Sequence, residues 1–144
     1  MRITNESDYA LRIVMELSKP HSQPDHGEFF SAALISKTSD VSLRFALKIL
    51  RKLSLAGIVQ SKKGAAGGYC LAKEPCNISF GEVIEAIQGP INLLSCSQLD
   101  IACPMAESAS DCCRIYGIFS KLTQNFRQQL ESIKFSDIFI DIKE

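Results

Sequence analysis

No uninterrupted apolar run in this 144-residue chain approaches the ~18 residues of a membrane-spanning helix, so a transmembrane segment is not expected. The opening stretch MRITNESDYALRIVMEL carries Glu6 and Asp8 within a helical pattern. It has neither the uncharged apolar core nor the small-residue cleavage site of a signal peptide, which makes the cytoplasm the expected compartment. No Cys-x-x-Cys pair occurs and no His/Asp catalytic set is apparent, so the chain is read as a non-enzyme and a thiol redox enzyme is disfavoured. The two histidines, His21 and His26, sit in the polar, proline-containing stretch PHSQPDHGE, where solvation accounts for them. The glycine-rich stretch SKKGAAGGYCLA lacks the Lys-Ser/Thr pair that follows the glycines of a phosphate-binding loop, and the residues after it are strand-like rather than helical. Internal repeats and low-complexity segments are also missing.

Net charge is missing too, but only in the sum. Residues 1–73 hold eleven Lys/Arg against six Asp/Glu, whereas residues 74–144 hold five against ten. The sharpest block, residues 42–63, contains Arg44, Lys48, Arg51, Lys52, Lys62 and Lys63 and no acid. Such asymmetry suggests that one half meets a polyanion while the other has a different task; a solvated basic face is the plainer alternative.

The periodicity predicts a largely apolar helix over residues 4–19, capped by Thr4 or Asn5 and ended by Lys19-Pro20. A short helix runs from a Ser31 cap to Lys37. The polar turn KTSD follows, and then a longer helix from a Ser42 cap to about Ala56, with Gly57 as terminator. Phe45, Leu47, Ile49, Leu50, Leu53 and Leu55 are placed on or near the buried side of this helix. IVQSK and YCLA read as strands around the tip KGAAGG. Helix, helix, helix, basic hairpin is the order of a winged helix-turn-helix domain. NISFGEVIEAIQGP is a further helix, with Ser79 and Glu82 at capping-box spacing and Gly89-Pro90 as its stop. From about Asp111 to Lys134 a long helix carries the stripe Ile115, Ile118, Leu122, Phe126, Leu130 and Ile133. A narrow stripe on a helix appended to a complete small domain needs a partner, and dimerisation is the expected use; packing back on its own domain is the alternative. The fold class is therefore mainly α with a small β-hairpin. Residues 1–90 form the winged helix-turn-helix domain, 91–112 a cysteine-bearing loop, and 113–144 the dimerisation helix and tail.

Six cysteines are many for a reducing compartment, where disulfides are disfavoured. Cys70 falls in a strand and Cys76 in a turn, while Cys96, Cys103 and the adjacent Cys112 and Cys113 gather just before the long helix. Thiolates hold soft metals and iron–sulfur clusters. The spacing, six residues and then eight or nine, is not that of a compact zinc pair. A cluster, zinc, a metal-free thiol switch and plain unligated thiols all stay open at this point.

Taken together, MRITNESDYALR, LKILRKLSLAGIVQSKKGAAGGYCLAKEP, ISFGEVIEAIQGP and the cysteine loop make the chain resemble the Rrf-two family of winged-helix regulators, whose members include IscR, NsrR and CymR. The resemblance implies a homodimer on a palindromic double-stranded DNA operator, with repression as the expected sense. It implies that Ser42 and Arg44 face the major groove and Lys63 lies near the minor groove, where the family usually has arginine. Lys48 and Lys62 complete the expected DNA-binding set through their charge. Cluster-binding members use three loop cysteines, which Cys96, Cys103 and Cys113 resemble by position, with Cys112 as an alternative third ligand. Tyr116 stands where some relatives carry a histidine ligand. Asp8 matches an aspartate that others contribute across the dimer, and it also suits the first turn of a helix on dipole grounds. Members without a cluster exist, and the alternative expectation is a cofactor-free regulator controlled by thiol oxidation or by a regulatory protein partner.

Overall fold

The computed structural model describes residues 2–19, 29–94 and 114–140. Helix α1 (Asn5–Leu17) starts at Thr4, whose hydroxyl accepts the Ser7 amide at 3.2 Å, and buries Ala10, Ile13, Val14 and Leu17. Helix α2 (Ala32–Thr38) and helix α3 (Leu43–Leu55) are each capped by a serine, Ser31 and Ser42, whose hydroxyls accept the amides of Leu34 and Phe45. The turn between them is closed by Ser36, which donates to the Val41 carbonyl at 2.6 Å, and passes through a left-handed Asp40. Asp is one of the few residues besides glycine that visit this conformation, because its side chain is short and polar. These two helices and their tight turn are the helix-turn-helix expected from the caps.

The α3 face needs one correction. Its buried row is Ala46, Ile49, Leu50 and Leu53, a spacing that follows one side of a 3.6-residue helix. Phe45, Leu47 and Leu55 lie off that side and are 48%, 44% and 82% exposed. Apolar character alone does not set a helix face, and only three-and-four spacing separates Ile49 and Leu53 from Leu47 and Leu55.

Strands β1 (Val59–Lys62) and β2 (Gly68–Leu71) pair antiparallel, Val59 with Leu71 and Lys62 with Gly68. Phe30 adds an antiparallel bridge to Tyr69, exchanging backbone bonds of 2.8 and 2.9 Å. The glycines at 67 and 68 are explained by contact as well as turning. A Cβ on Gly67 would strike the Lys62 carbonyl, and one on Gly68, already at φ +145°, would strike the Phe30 carbonyl. The hairpin is thereby held flat against the entry to α2.

Helix α4 (Phe80–Gln88) has the Ser79 hydroxyl accepting the Glu82 amide at 3.0 Å. The other half of the expected capping box is replaced by a Glu82–Lys73 ion pair of 2.6 Å. Helix α5 (Arg114–Ser132) ends two residues earlier than its pattern predicts, and its expected first residues, 111–113, lie outside the described residues. Beyond it the chain returns to α4. Lys134 bridges Ser79, Phe135 donates its amide to Ile78, and the fully buried Phe135 ring stacks on Phe80 with centroids 4.6 Å apart. Phe135 thus joins the core formed by α1, α3, α4 and the hairpin, a role its place in an expected tail did not suggest.

One polar group ties α1 to α3 through this core's rim. Glu6 Oε1 receives Lys52 at 3.0 Å and Lys48 at 3.3 Å. Burial by itself pushes the Glu6 carboxyl up; hydrogen bonding and charge from Lys52 and Lys48 overcome it and hold the group below its ordinary 4.5. A carboxylate with a lowered pKa stabilises the fold above its unfolded-state value and loses that contribution as pH falls through the folded value. Glu6→Gln should therefore cost about 1–2 kcal/mol at neutral pH. In urea titrations the gap between wild type and variant should close on acidification below the ordinary carboxylate value; a gap constant from neutral to strongly acidic pH would remove Glu6 from this role.

Candidate nucleic-acid interface

With Ala46, Ile49, Leu50 and Leu53 turned inward, the opposite side of α3 carries Arg44, Lys48 and Arg51 in one row. Arg44 and Arg51 are exposed, and among the described residues neither forms an ion pair. Lys48 leans toward α1 and is partly engaged by Glu6, though its side chain stays 57% exposed. Ser42 is exposed at the helix start, with its hydroxyl 3.4 Å from the Phe45 amide. Arg51 is absent from the expected contact set; its spacing of seven from Arg44 is the signal that places it on the same row.

The hairpin presents Lys62 and Lys63 at its tip, both exposed. The Lys62 ammonium lies 5.6 Å from the Phe29 ring centroid, a cation–π contact that orients it without neutralising it. Helix and hairpin together form a surface that carries Arg44, Arg51, Lys62 and Lys63 and draws no acid from residues 42–63.

Asp8, expected as a cluster ligand, lies on the outer side of α1, where Arg12 holds its Oδ2 at 2.9 Å. Arg12 also lies 5.7 Å from the Tyr9 ring centroid, and Tyr9 packs at 6.2 Å against Phe45 of α3. Cys96, Cys103, Cys112 and Cys113 fall outside the described residues. Of the remaining cysteines, Cys70 is buried and accepts from Gln60 at 3.1 Å, whereas Cys76 is exposed. No group of three or more metal-ligating side chains occurs among the described residues.

The C-terminal end of α4 gathers contacts from every side. Gln88 Oε1 accepts the Ser7 hydroxyl at 2.8 Å and the Thr4 amide at 3.2 Å. The Ile87 carbonyl accepts Lys52 at 3.1 Å, linking α4 to α3. Glu85 takes Arg127 of α5 through both oxygens, at 2.8 and 3.1 Å, and accepts the Ile91 amide. Thr123 of α5 accepts the Leu93 amide. One short helix end therefore touches α3, α1, α5 and the segment that leads into the cysteine stretch. None of Glu6, Gln88 and Glu85 stands out in the sequence, because their partners are distant along the chain.

On α5, Ile115, Ile118 and Leu122 are 59%, 60% and 48% exposed, while Phe126 and Leu130 are half-buried. Leu122 and Phe126 join Ile3 and Leu93 around an apolar groove of about 480 Å³. No helix among the described residues is long and apolar enough to cross a membrane.

Known proteins share this fold. A family model described as Rrf2, iron-dependent transcriptional regulator, matches residues 3–141. The chain is 30% identical over 137 residues to an rrf2-like HTH-type transcriptional regulator of Rhodobacter capsulatus, covering 94% of this chain and 91% of that one. The solved structure of CymR, the global cysteine regulator of B. subtilis, is similar at a TM-score of 0.71 and 25% identity, over 96% of this chain and 95% of that one. That of T. potens IscR, 22% identical, has the same fold at a TM-score of 0.73, over 99% of this chain and 89% of its own length. A mainly helical chain with a winged helix-turn-helix, matched along almost its whole length, belongs to the Rrf2 family of transcriptional regulators.

Proposed function

We propose that this chain is a homodimeric, operator-binding regulator, a repressor in its expected sense, whose DNA affinity is set by an iron–sulfur cluster held by Cys96, Cys103 and Cys113. The observation that carries the DNA-binding part is the unpaired row Arg44 and Arg51 on α3 beside the exposed Lys62 and Lys63 of the hairpin. Arginine at the N-terminal end of a helix that enters the major groove reads guanine edges. Lysines at a wing tip neutralise phosphates and release counterions. The Ser42 cap holds the first turn of α3 so that Arg44 projects from a fixed backbone.

Homodimerisation is supported by the exposed stripe on α5 and the apolar groove beside Leu122. A second copy's α5 would cover Ile115, Ile118 and Leu122 and set two α3 helices at a fixed spacing, as a palindrome requires.

The cluster reading is supported by the family's description as iron-dependent and by the donor set. Thiolates are the ligands such clusters take, and three are on hand, with Cys112 as the alternative third. Asp8 is half-exposed and shared with Arg12 through one oxygen, so its carboxylate fits a fourth, labile ligand from the other protomer. When bound, the cluster would supply a centre whose gain, loss or oxidation reshapes the residues between α4 and α5. The chain's own part is mechanical: Glu85, Ile91 and Leu93 anchor that segment to α4 and α5, and Lys52 carries the position of α4 to α3.

A second reading, control by thiols or a partner protein without a cluster, is favoured by the likeness to CymR, a cysteine regulator, and by Tyr116 where a histidine ligand would stand.

Replacing Lys62 and Lys63 by alanine should weaken binding to all duplexes and lower the slope of log affinity against log salt by up to about 2. Arg44→Ala should cost about 1–3 kcal/mol on a selected operator and relax base preference there. Titrations of labelled duplexes at several salt concentrations check both, and variants indistinguishable from wild type would place the face elsewhere.

Leu122→Asp should leave a folded monomer in analytical ultracentrifugation, since Leu122 is exposed in the single chain and a carboxylate resists burial in an interface. A variant still dimeric at the same concentration would remove α5 from the contact.

For the cluster, Cys96→Ala, Cys103→Ala and Cys113→Ala should each lose iron and visible absorption when prepared without oxygen. Cys112→Ala, Cys70→Ala and Cys76→Ala should keep them, and Asp8→Ala should form a more labile cluster. Wild-type protein that stays colourless after reconstitution with iron and sulfide would favour the cluster-free reading.

A further inference from the structure

The row on α3 next to Arg44 and Arg51 is not polar. Leu43 and Leu47, four residues apart, lie one above the other on the first turns and are 46% and 44% exposed. Leaving two leucines in water forgoes stabilisation that burial would supply, so an apolar pair at this place calls for a covering partner. Phe45, on the other flank, already has Tyr9 against it.

We infer that Leu43 and Leu47 read thymine C5-methyl groups in the operator half-site, next to the base that Arg44 contacts. The inference rests on the DNA-binding reading above and adds a base class to it. The surroundings favour nucleic acid over an apolar protein partner. The stripe runs beside Arg44 and Arg51, no acid occurs in residues 42–63, and Lys62 and Lys63 project from the hairpin that follows α3. On the floor of a B-DNA major groove, the C5-methyl of thymine is the apolar group available to a side chain. The N-terminal turns of a recognition helix are the part that reaches base edges, and Leu43 and Leu47 occupy them.

The test uses the full-length protein and a random duplex library, from which preferred sites are selected and sequenced. Each thymine of the selected site is then replaced in turn by deoxyuridine, which removes the methyl and leaves the hydrogen-bonding edge intact. Wild type should lose about fourfold in affinity at one or two positions per half-site, the equivalent of a buried methylene. Leu47→Ala or Leu43→Ala should abolish that loss at one of them while keeping the wild-type salt dependence, with circular dichroism confirming the fold. Wild type insensitive to every deoxyuridine replacement overturns the inference, as do leucine variants that retain full sensitivity. Leucine variants that lose self-association but keep methyl sensitivity make the stripe a protein-docking face and overturn it too. A protein that binds no duplex overturns the DNA-binding reading itself, whereas salt-dependent binding with no methyl effect overturns this inference alone.

Discussion

A helix that buries Ala46, Ile49, Leu50 and Leu53 has only one rotational setting, and everything proposed for the outer face follows from it. The setting turns Arg44 and Arg51 to solvent, puts Leu43 and Leu47 on one flank, and turns Lys52 and Phe45 toward α1. Glu6 reinforces it from the rim. By drawing Lys52 and Lys48 together, it resists rotation of α3 and removes part of the positive charge from the outward row. The remaining cations, Arg44 and Arg51, are the ones suited to reading base edges, since a planar fork discriminates where an ammonium only attracts.

The end of α4 is the second constraint. Gln88 caps no helix of its own; it accepts from the first turn of α1, while Glu85 is claimed by Arg127 of α5. A displacement of α5 or of the segment beginning at Ile91 must therefore either break the Glu85 contacts or move α4, and α4 moves with the Lys52–Ile87 bond to α3. The Phe135–Phe80 stack anchors the far end of α5 to the opposite end of α4, so α4 is clamped at both ends by the same helix and its extension. This contiguous arrangement gives a change between α4 and α5 a mechanical path to α3.

Much of the fold is legible in the sequence because local chemistry decides it. Ser31, Ser42 and Ser79 cap where their positions predict, Gly57 and Gly89 end helices in left-handed conformations, and the two strands form around the predicted tip. What fails to show is long-range. Phe135 looks like part of a tail, and only the return of the chain onto Ile78 reveals it as core. Leu47 and Leu55 look like core, and only the choice of face reveals them as surface. The cationic residues of the site are visible as a charge block, but which are neutralised depends on Glu6, some forty residues away from Lys48 and Lys52. The glycines of the hairpin announce a close approach, whereas the identity of what approaches, the Phe30 carbonyl, belongs to tertiary structure.

In the proposed function, the state of the cysteine segment sets the affinity of the α3 and hairpin face for its operator. The direct measurement is the affinity of one anaerobic preparation for a selected operator, before and after its iron is removed by a chelator, at a single salt concentration. The expected change is about tenfold or more, in the range that coupling between two sites of one protein supplies. Equal affinity in the two states, with iron shown to be present in the first and absent in the second, would contradict it.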